Sequence, residues 1–227
     1  MNLESRYFTY LDKQLKQMDD FYVPDEWWSR GYEYHFAAQF LNKNDIILDA
    51  ACGIEHPFKL YASKRVKICY AIDIDERIEQ LEGNDKLIYK RINLNDIENN
   101  FEPESFDKIF CLSVFEHIPE HALKVLKNFK ELIKPDGYIV MTLDHPFMKT
   151  SDIVSLVNAV GLQFVSGMDY DIPKNAIKGP YNGLKCYSAL LTKSEYTWNE
   201  QEHNVIVDLD KVIVPKEKKP TKPKETK

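Results

Sequence analysis

The sequence predicts an α/β fold, a doubly wound and mainly parallel sheet of seven strands with helices on both faces. Three observations predict it. Short apolar runs recur in which apolar residues follow one another without alternating, as strands buried on both faces require. Helical patterns fall between those runs, the order that builds parallel crossovers. Turn residues and glycines punctuate the junctions.

The chain opens on a helical pattern from Glu4 to Met18, followed by an aromatic cluster from Phe21 to Arg30. A second helical pattern runs through Tyr34, Ala37, Ala38, Phe40 and Leu41 and ends at Asn42-Lys43-Asn44-Asp45. Residues 1–43 therefore read as a helical cap or lid on a main domain, 44–214. The first strand, Ile46-Ile47-Leu48, ends on Asp49, and further strands are expected at Lys67 to Ile74, Lys86 to Ile92, Lys108 to Leu112 and Tyr138 to Leu143. Helices are expected at Pro57 to Lys64, Glu76 to Glu82 and His121 to Ile133. The last carries Leu123, Leu126, Phe129, Leu132 and Ile133 at helical spacing and stops at Lys134-Pro135-Asp136-Gly137, a stop-and-turn signal. Ser151-Asp152 reads as a cap for a helix from Ile153 to Val160, with Gly161 as its stop. Leu162 to Val165 and Tyr187 to Thr192 close the sheet, joined by a polar segment from Asp169 to Gly183. The Lys- and Pro-rich end, 215–227, has almost nothing apolar to bury and reads as a disordered, solubilising tail.

With 227 residues, 44% apolar and 29% charged, the composition is that of one ordinary globular domain. No apolar run reaches the ~18 residues of a membrane span, and Met1 to Tyr10 lacks the apolar core of a signal peptide, so the expected location is cytoplasmic with no membrane partner. A net charge of −6 argues against a nucleic-acid-binding surface over the whole domain. The cysteines at 52, 69, 111 and 186 lie far apart, without metal-ligand spacing. Reduced structural thiols and no metal site are expected. Nothing in the sequence fixes an oligomeric state.

In doubly wound sheets ligands sit beyond the carboxyl ends of the strands, at the point where the strand order reverses. The first strand leads into Asp49-Ala50-Ala51-Cys52-Gly53-Ile54-Glu55-His56-Pro57, whose small residues let a ligand approach the backbone. Taken alone, they are better explained as a tight strand-to-helix turn. The second ends Ala71-Ile72-Asp73-Ile74-Asp75. A carboxylate there, some twenty residues after a small-residue loop, suits a ribose diol. Asp75 is better explained as a helix cap.

These segments, with Asn93-Leu94-Asn95-Asp96-Ile97, Ser105-Phe106-Asp107-Lys108-Ile109, Leu112-Ser113-Val114-Phe115-Glu116-His117-Ile118 and Leu132-Ile133-Lys134-Pro135-Asp136-Gly137-Tyr138, resemble the class I S-adenosylmethionine-dependent methyltransferases in order and spacing. The resemblance covers roughly residues 44–145 and implies the Rossmann-like methyltransferase fold with S-adenosylmethionine as cofactor. It implies Asp49, Ala51 and Gly53 around the methionine part, Asp73 on the ribose hydroxyls, Ile74 and Leu94 beside the adenine, Asn93 in the place of an adenine-binding Asp, and Ser113 along the methionine end. One departure stands out. The family's usual Gly-x-Gly-x-Gly loop is here Ala51-Cys52-Gly53-Ile54-Glu55, with one glycine left and a carboxylate at the third position.

Methyl transfer requires alignment, exclusion of water and, for a hydroxyl acceptor, removal of a proton. Glu116, His117 and His145 are the candidate bases, with Asp144 beside them as an acceptor-binding residue or as turn chemistry before Pro146. The block Trp27-Trp28-Ser29-Arg30-Gly31-Tyr32-Glu33-Tyr34 offers Trp28, Arg30 and Tyr34 as an acceptor platform, or packs a helix against the sheet. The reading is a methyltransferase for a small polar acceptor, such as a hydroxyl of a sugar or another metabolite. The alternative is a non-catalytic binding or scaffold protein of the same fold. A nicotinamide oxidoreductase lacks its Gly-x-Gly-x-x-Gly spacing here.

Overall fold

The computed structural model describes residues 3–180 and 183–193. In chain order the elements are β1 (Arg6–Tyr7), β2 (Gln17–Met18), β3 (Phe21–Tyr22), α1 (Arg30–Ala38), β4 (Ile46–Ala50), α2 (Phe58–Ser63), β5 (Ile68–Asp73), β6 (Leu87–Arg91), β7 (Phe106–Leu112), α3 (Ala122–Leu132), β8 (Ile133–His145), α4 (Thr150–Val160), β9 (Leu162–Phe164) and β10 (Lys185–Lys193). Short 3-10 turns, Glu76–Gln80, Leu94–Asn99 and Phe115–His117, follow β5, β6 and β7.

The sheet runs β6-β5-β4-β7-β8-β10, with β9 and β1 both paired to β10. Pairings from β6 across to β8 are parallel, and β10 is antiparallel to β8, to β9 and to β1. The chain lays β4, β5 and β6 outward in one direction, then returns to place β7 on the other side of β4. That reversal is the switch point.

Unalternating strands make sense because each face has its own core. Leu48, Ile72, Ile109 and Ile139 point into one, which α3 and α4 complete with Leu126, Phe129, Ile153 and Val157. Their neighbours Ile47, Ala71, Phe110 and Val140 point into the other, closed by Tyr34, Phe36 and Ala37 of α1 and Phe58 and Ala62 of α2. Successive strand residues face opposite sides, so a strand covered on both must be apolar at consecutive positions.

The expected helix over Glu4 to Met18 is not formed. That stretch holds β1, which pairs Arg6 with Ser188 and Tyr7 with Tyr187, and β2, which forms a two-stranded ribbon with β3. Its polar residues are spent on local bonds, with Asp12 accepting from the Arg6 guanidinium and from the Thr9 amide and hydroxyl. The turn expected at Lys134 to Gly137 is a bulge in β8, between the pairings Phe106–Ile133 and Lys108–Tyr138. Gly137 is needed there, because a Cβ would come within 2.9 Å of the Asp107 carbonyl oxygen. Helix α4 starts at Thr150, one residue before the expected cap, with the Asp152 carboxylate accepting from the Lys149 amide, and it ends at Gly161 in the left-handed conformation. Among the described residues no helix is long and apolar enough to cross a membrane. The tail read at 215–227 lies outside the described residues.

Candidate cofactor and acceptor site

A cavity of about 230 Å³ opens at the switch point. Its walls are Asp49 of β4 with residues 51–53 after it, Asp73 at the end of β5, Leu112 at the end of β7 with Ser113 and Val114 after it, Arg30 and Tyr34 of α1, and His56 just before α2 with Phe58 at its start. Three residues at these strand ends have left-handed backbone, Ala51 (φ 56°), Gly53 (φ 61°) and Ser113 (φ 50°). For non-glycine residues that conformation costs about 1–3 kcal/mol and persists only where the surroundings impose it. Ala51 and Ser113 carry it at the ends of adjacent strands, facing one cavity.

Asp73 Oδ2 accepts from the Gly53 amide at 2.8 Å and Oδ1 from the Asp75 amide at 3.0 Å. Each oxygen keeps a further lone pair for a hydroxyl donor. Asp75 caps the following turn by accepting from the Arg77 amide. Asp49 is buried, and its Oδ2 has no hydrogen-bond partner. Burial pushes its carboxyl up to about 7, with the Asp73 charge adding to the rise and Lys59 and Arg30 opposing it. An orphaned carboxyl oxygen, a carboxylate with spare acceptor capacity and a guanidinium around one cavity fit an amino-acid and ribose ligand. S-adenosylmethionine is such a group, with Asp49 and Asp73 the acids that would face it.

The loop after β4 is fixed from beneath. Lys59 is 1% exposed, and its ammonium donates to the carbonyls of Gly53 (2.5 Å), Ile54 (3.0 Å) and His56 (2.5 Å). The His56 ring lies over Gly53, where a Cβ would meet it at 2.4 Å, so only glycine fits. His56 Nδ1 is 3.0 Å from the Tyr34 hydroxyl, and Trp27 packs on the ring at 4.7 Å. Burial, with Arg30 and Lys59 nearby, lowers the His56 pKa to about 4, so the imidazole is neutral at pH 7.

Helix α1 brings Glu33 into the sheet. The side chain is fully buried, and Oε2 accepts from Arg30 Nη1 (3.1 Å), Ser113 Oγ (2.7 Å) and Thr142 Oγ1 (2.5 Å). Burial alone would raise this carboxyl, but Arg30 and the hydroxyls outweigh it and hold the pKa below the ordinary value. Arg30 Nη1 also donates to the Leu112 carbonyl. The Ser113 hydroxyl is thus turned to Glu33, and its amide donates to Thr142.

Beyond this network, Glu116 Oε1 accepts from the Asp144 amide at 2.9 Å, while Glu116 Oε2 and Asp144 Oδ1 have no partner. Burial pushes Glu116 up to about 8, with Asp144 and Glu33 adding and backbone amides opposing. Burial likewise lifts Asp144 to about 7, helped by Glu33 and opposed chiefly by Arg30. His117 is exposed, its ring 5.8 Å from Phe147, and His145 meets Tyr7 edge-on at 5.8 Å. Partial loss of solvent around the rings lowers both imidazoles, with nearby cations adding to the fall.

Of the residues singled out in the sequence, the cavity gathers Asp49, Ala51, Gly53, Asp73, Ser113, Arg30 and Tyr34. Ile74 is 61% exposed, Leu94 packs against the α3–α4 core, and Asn93 is exposed with Oδ1 accepting from the Asn95 amide. Glu116, His117, Asp144, His145 and Trp28 lie off the cavity wall. Trp28 packs partly against the α1–α2 core, and its neighbour Trp27 is the one that reaches His56. Sequence reading passed over Glu33 and Lys59. A charged residue between Phe58 and Ala62, both core positions, was the one signal for the lysine.

A family description, "Methyltransferase domain", matches residues 48–141, from within β4 into β8. An (S)-coclaurine N-methyltransferase from Papaver somniferum is 30% identical over 110 residues, 46% of this chain and 30% of that protein. A ubiquinone biosynthesis O-methyltransferase from Pseudomonas syringae pv. tomato is 27% identical over 99 residues, 41% of each. The chain thus spans less than half the length of these curated relatives. Among solved structures, a Burkholderia thailandensis 1,6-didemethyltoxoflavin-N1-methyltransferase with bound 1,6-didemethyltoxoflavin and S-adenosylhomocysteine superposes with TM-score 0.55 at 13% identity, over 85% of this chain and all of that one. Residues 48–141 thus match a methyltransferase domain, and the strand order around them is the Rossmann-like methyltransferase fold that the solved structure shares.

Proposed function

We propose that the chain binds S-adenosylmethionine at the switch-point cavity and transfers its methyl group to a small polar acceptor, such as a hydroxyl of a sugar or another metabolite. The reading rests on one observation above all. The Asp73 carboxylate closes β5 at the cavity wall, bonded to the Gly53 amide and with acceptor capacity left for a diol. The matched relatives carry N- and O-methyltransferase names for small molecules, which supports a small acceptor. The cofactor supplies the activated methyl group; the chain binds, orients and excludes water.

In this reading Asp49, Ala51, Gly53 and Ser113 surround the methionine end, and Ile74, Asn93 and Leu94 flank the adenine beyond β5 and β6. Arg30 and Tyr34, with Trp28 behind them, face the acceptor side. A proton leaving a hydroxyl acceptor goes to His117, His145 or the Glu116–Asp144 pair. Residues 1–43 cap the domain of 44–214, and the reaction belongs to the cytoplasm.

Calorimetric titration with S-adenosylhomocysteine, and with NAD as control, tests the reading. The chain is expected to bind the first alone, and Asp73→Ala to weaken that binding at least tenfold. Unchanged affinity in the variant removes the ribose assignment, and binding of neither ligand favours the scaffold alternative.

A further inference from the structure

We propose that Lys59 is the positioning residue of the cofactor loop, its ammonium holding the backbone of residues 53–56 in the shape that keeps the cavity open. The proposal rests on the reading of that cavity as the cofactor site. An ammonium has three donors, and all three here go to main-chain carbonyls of one loop, those of Gly53, Ile54 and His56. Lys59 is 1% exposed in a helix whose neighbours Phe58 and Ala62 fill the core. Packing alone calls for an apolar residue there, and a buried cation costs several kcal/mol unless its hydrogen bonds are complete.

The loop needs such a clamp because its sequence does not favour its conformation. A loop of three glycines would reach left-handed backbone without penalty. This one has Ala51 at φ 56° and side chains at Ile54 and Glu55, with Gly53 alone left. Buried carbonyls without partners would add to the strain. Lys59 satisfies three of them from one point and withdraws their oxygens from any ligand. The same fixation places the His56 ring over Gly53, within reach of Tyr34 and Trp27.

Lys59→Met in the full chain keeps the stem and removes every donor. Amide hydrogen exchange at residues 53–56 of the ligand-free protein is expected to quicken at least tenfold, while Ile47 and Leu48 in β4 keep their rates. Affinity for S-adenosylhomocysteine, measured well below the melting temperature, is expected to fall at least tenfold. Lys59→Gln, with an amide donor left, should lie between parent and Lys59→Met on both readouts, and it decides the matter if the methionine variant exchanges throughout. Parent-like loop exchange, or a quickened loop with unchanged affinity, overturns the proposal. A parent chain that binds no S-adenosylhomocysteine overturns the cofactor reading instead, and loop exchange then decides the role of Lys59.

Discussion

The two sides of the cavity are built by different means. On the β4–β5 side the work is done by backbone and near neighbours: Asp73 holds the Gly53 amide, and Lys59 holds carbonyls three to six residues away. On the α1–β7–β8 side it is done by side chains distant in the chain, as Glu33 gathers Ser113 and Thr142 across 80 and 109 residues. The first arrangement depends on loop conformation. The second depends on one buried ion pair and its hydroxyl donors, so the two sides should fail differently when a single residue is changed.

The largest effect is expected at Glu33. Removing one partner of a buried ion pair leaves the other uncompensated and costs about 3–5 kcal/mol. Arg30 lines the cavity and keeps 19% of its side-chain surface, which places Glu33→Ala near the lower end, about 3 kcal/mol. Urea unfolding measures it. Loss of stability below 1 kcal/mol would mean that α1 is held by its apolar face, Tyr34, Phe36 and Ala37, and that the polar network is incidental.

The same contrast explains what could be read from the sequence. The strands, the switch point and the acids at 49 and 73 were legible because buried strands and their terminal residues are contiguous in the chain. The Glu33 cluster was not, because nothing local pairs position 33 with 113 or 142. Residues 4–18 misled for a related reason. Their apolar spacing suits a helix, but β1 finds its partner in β10, which follows some 180 residues later, and tertiary pairing overrides a local preference. His56 was visible only as a departure from the usual loop, and its contact with Tyr34 again joins distant segments.

A second prediction sharpens the acceptor side. His117 and His145 are both lowered by partial loss of solvent and by nearby cations, and are therefore neutral at pH 7 and able to take a proton. A positioned base contributes about 10²–10⁴-fold. Alanine at the histidine in use should cut turnover about a hundredfold, read as S-adenosylhomocysteine release with an acceptor the parent uses. Cofactor affinity should change little. Full activity in both variants would assign the proton to Glu116 and Asp144.

The smallest effect is a pH dependence, and its sign follows from the carboxyls. Glu116, raised to about 8, binds a proton in the folded chain through a range where the unfolded chain, with a carboxyl near its ordinary value, has lost it. Folded protein therefore holds more protons between pH ~4.3 and about 8, and its stability falls as pH rises through that window. Below the window Glu116 is neutral in both states and contributes no slope. Glu116→Gln keeps an oxygen for the Asp144 amide and cannot ionise, so it should match the parent at pH 4 and melt higher at pH 8. The gain at pH 8 should reach at least the ~2–4 °C that 1 kcal/mol is worth in a chain of this length. Some slope must survive, because Asp49 on the cofactor side and Asp144 beside Glu116 are also raised by burial, each to about 7. An equal gap at both pH values would show that Glu116 is solvated in solution and titrates near its ordinary value, leaving the Glu33 network as the one buried polar cluster on this side among the described residues.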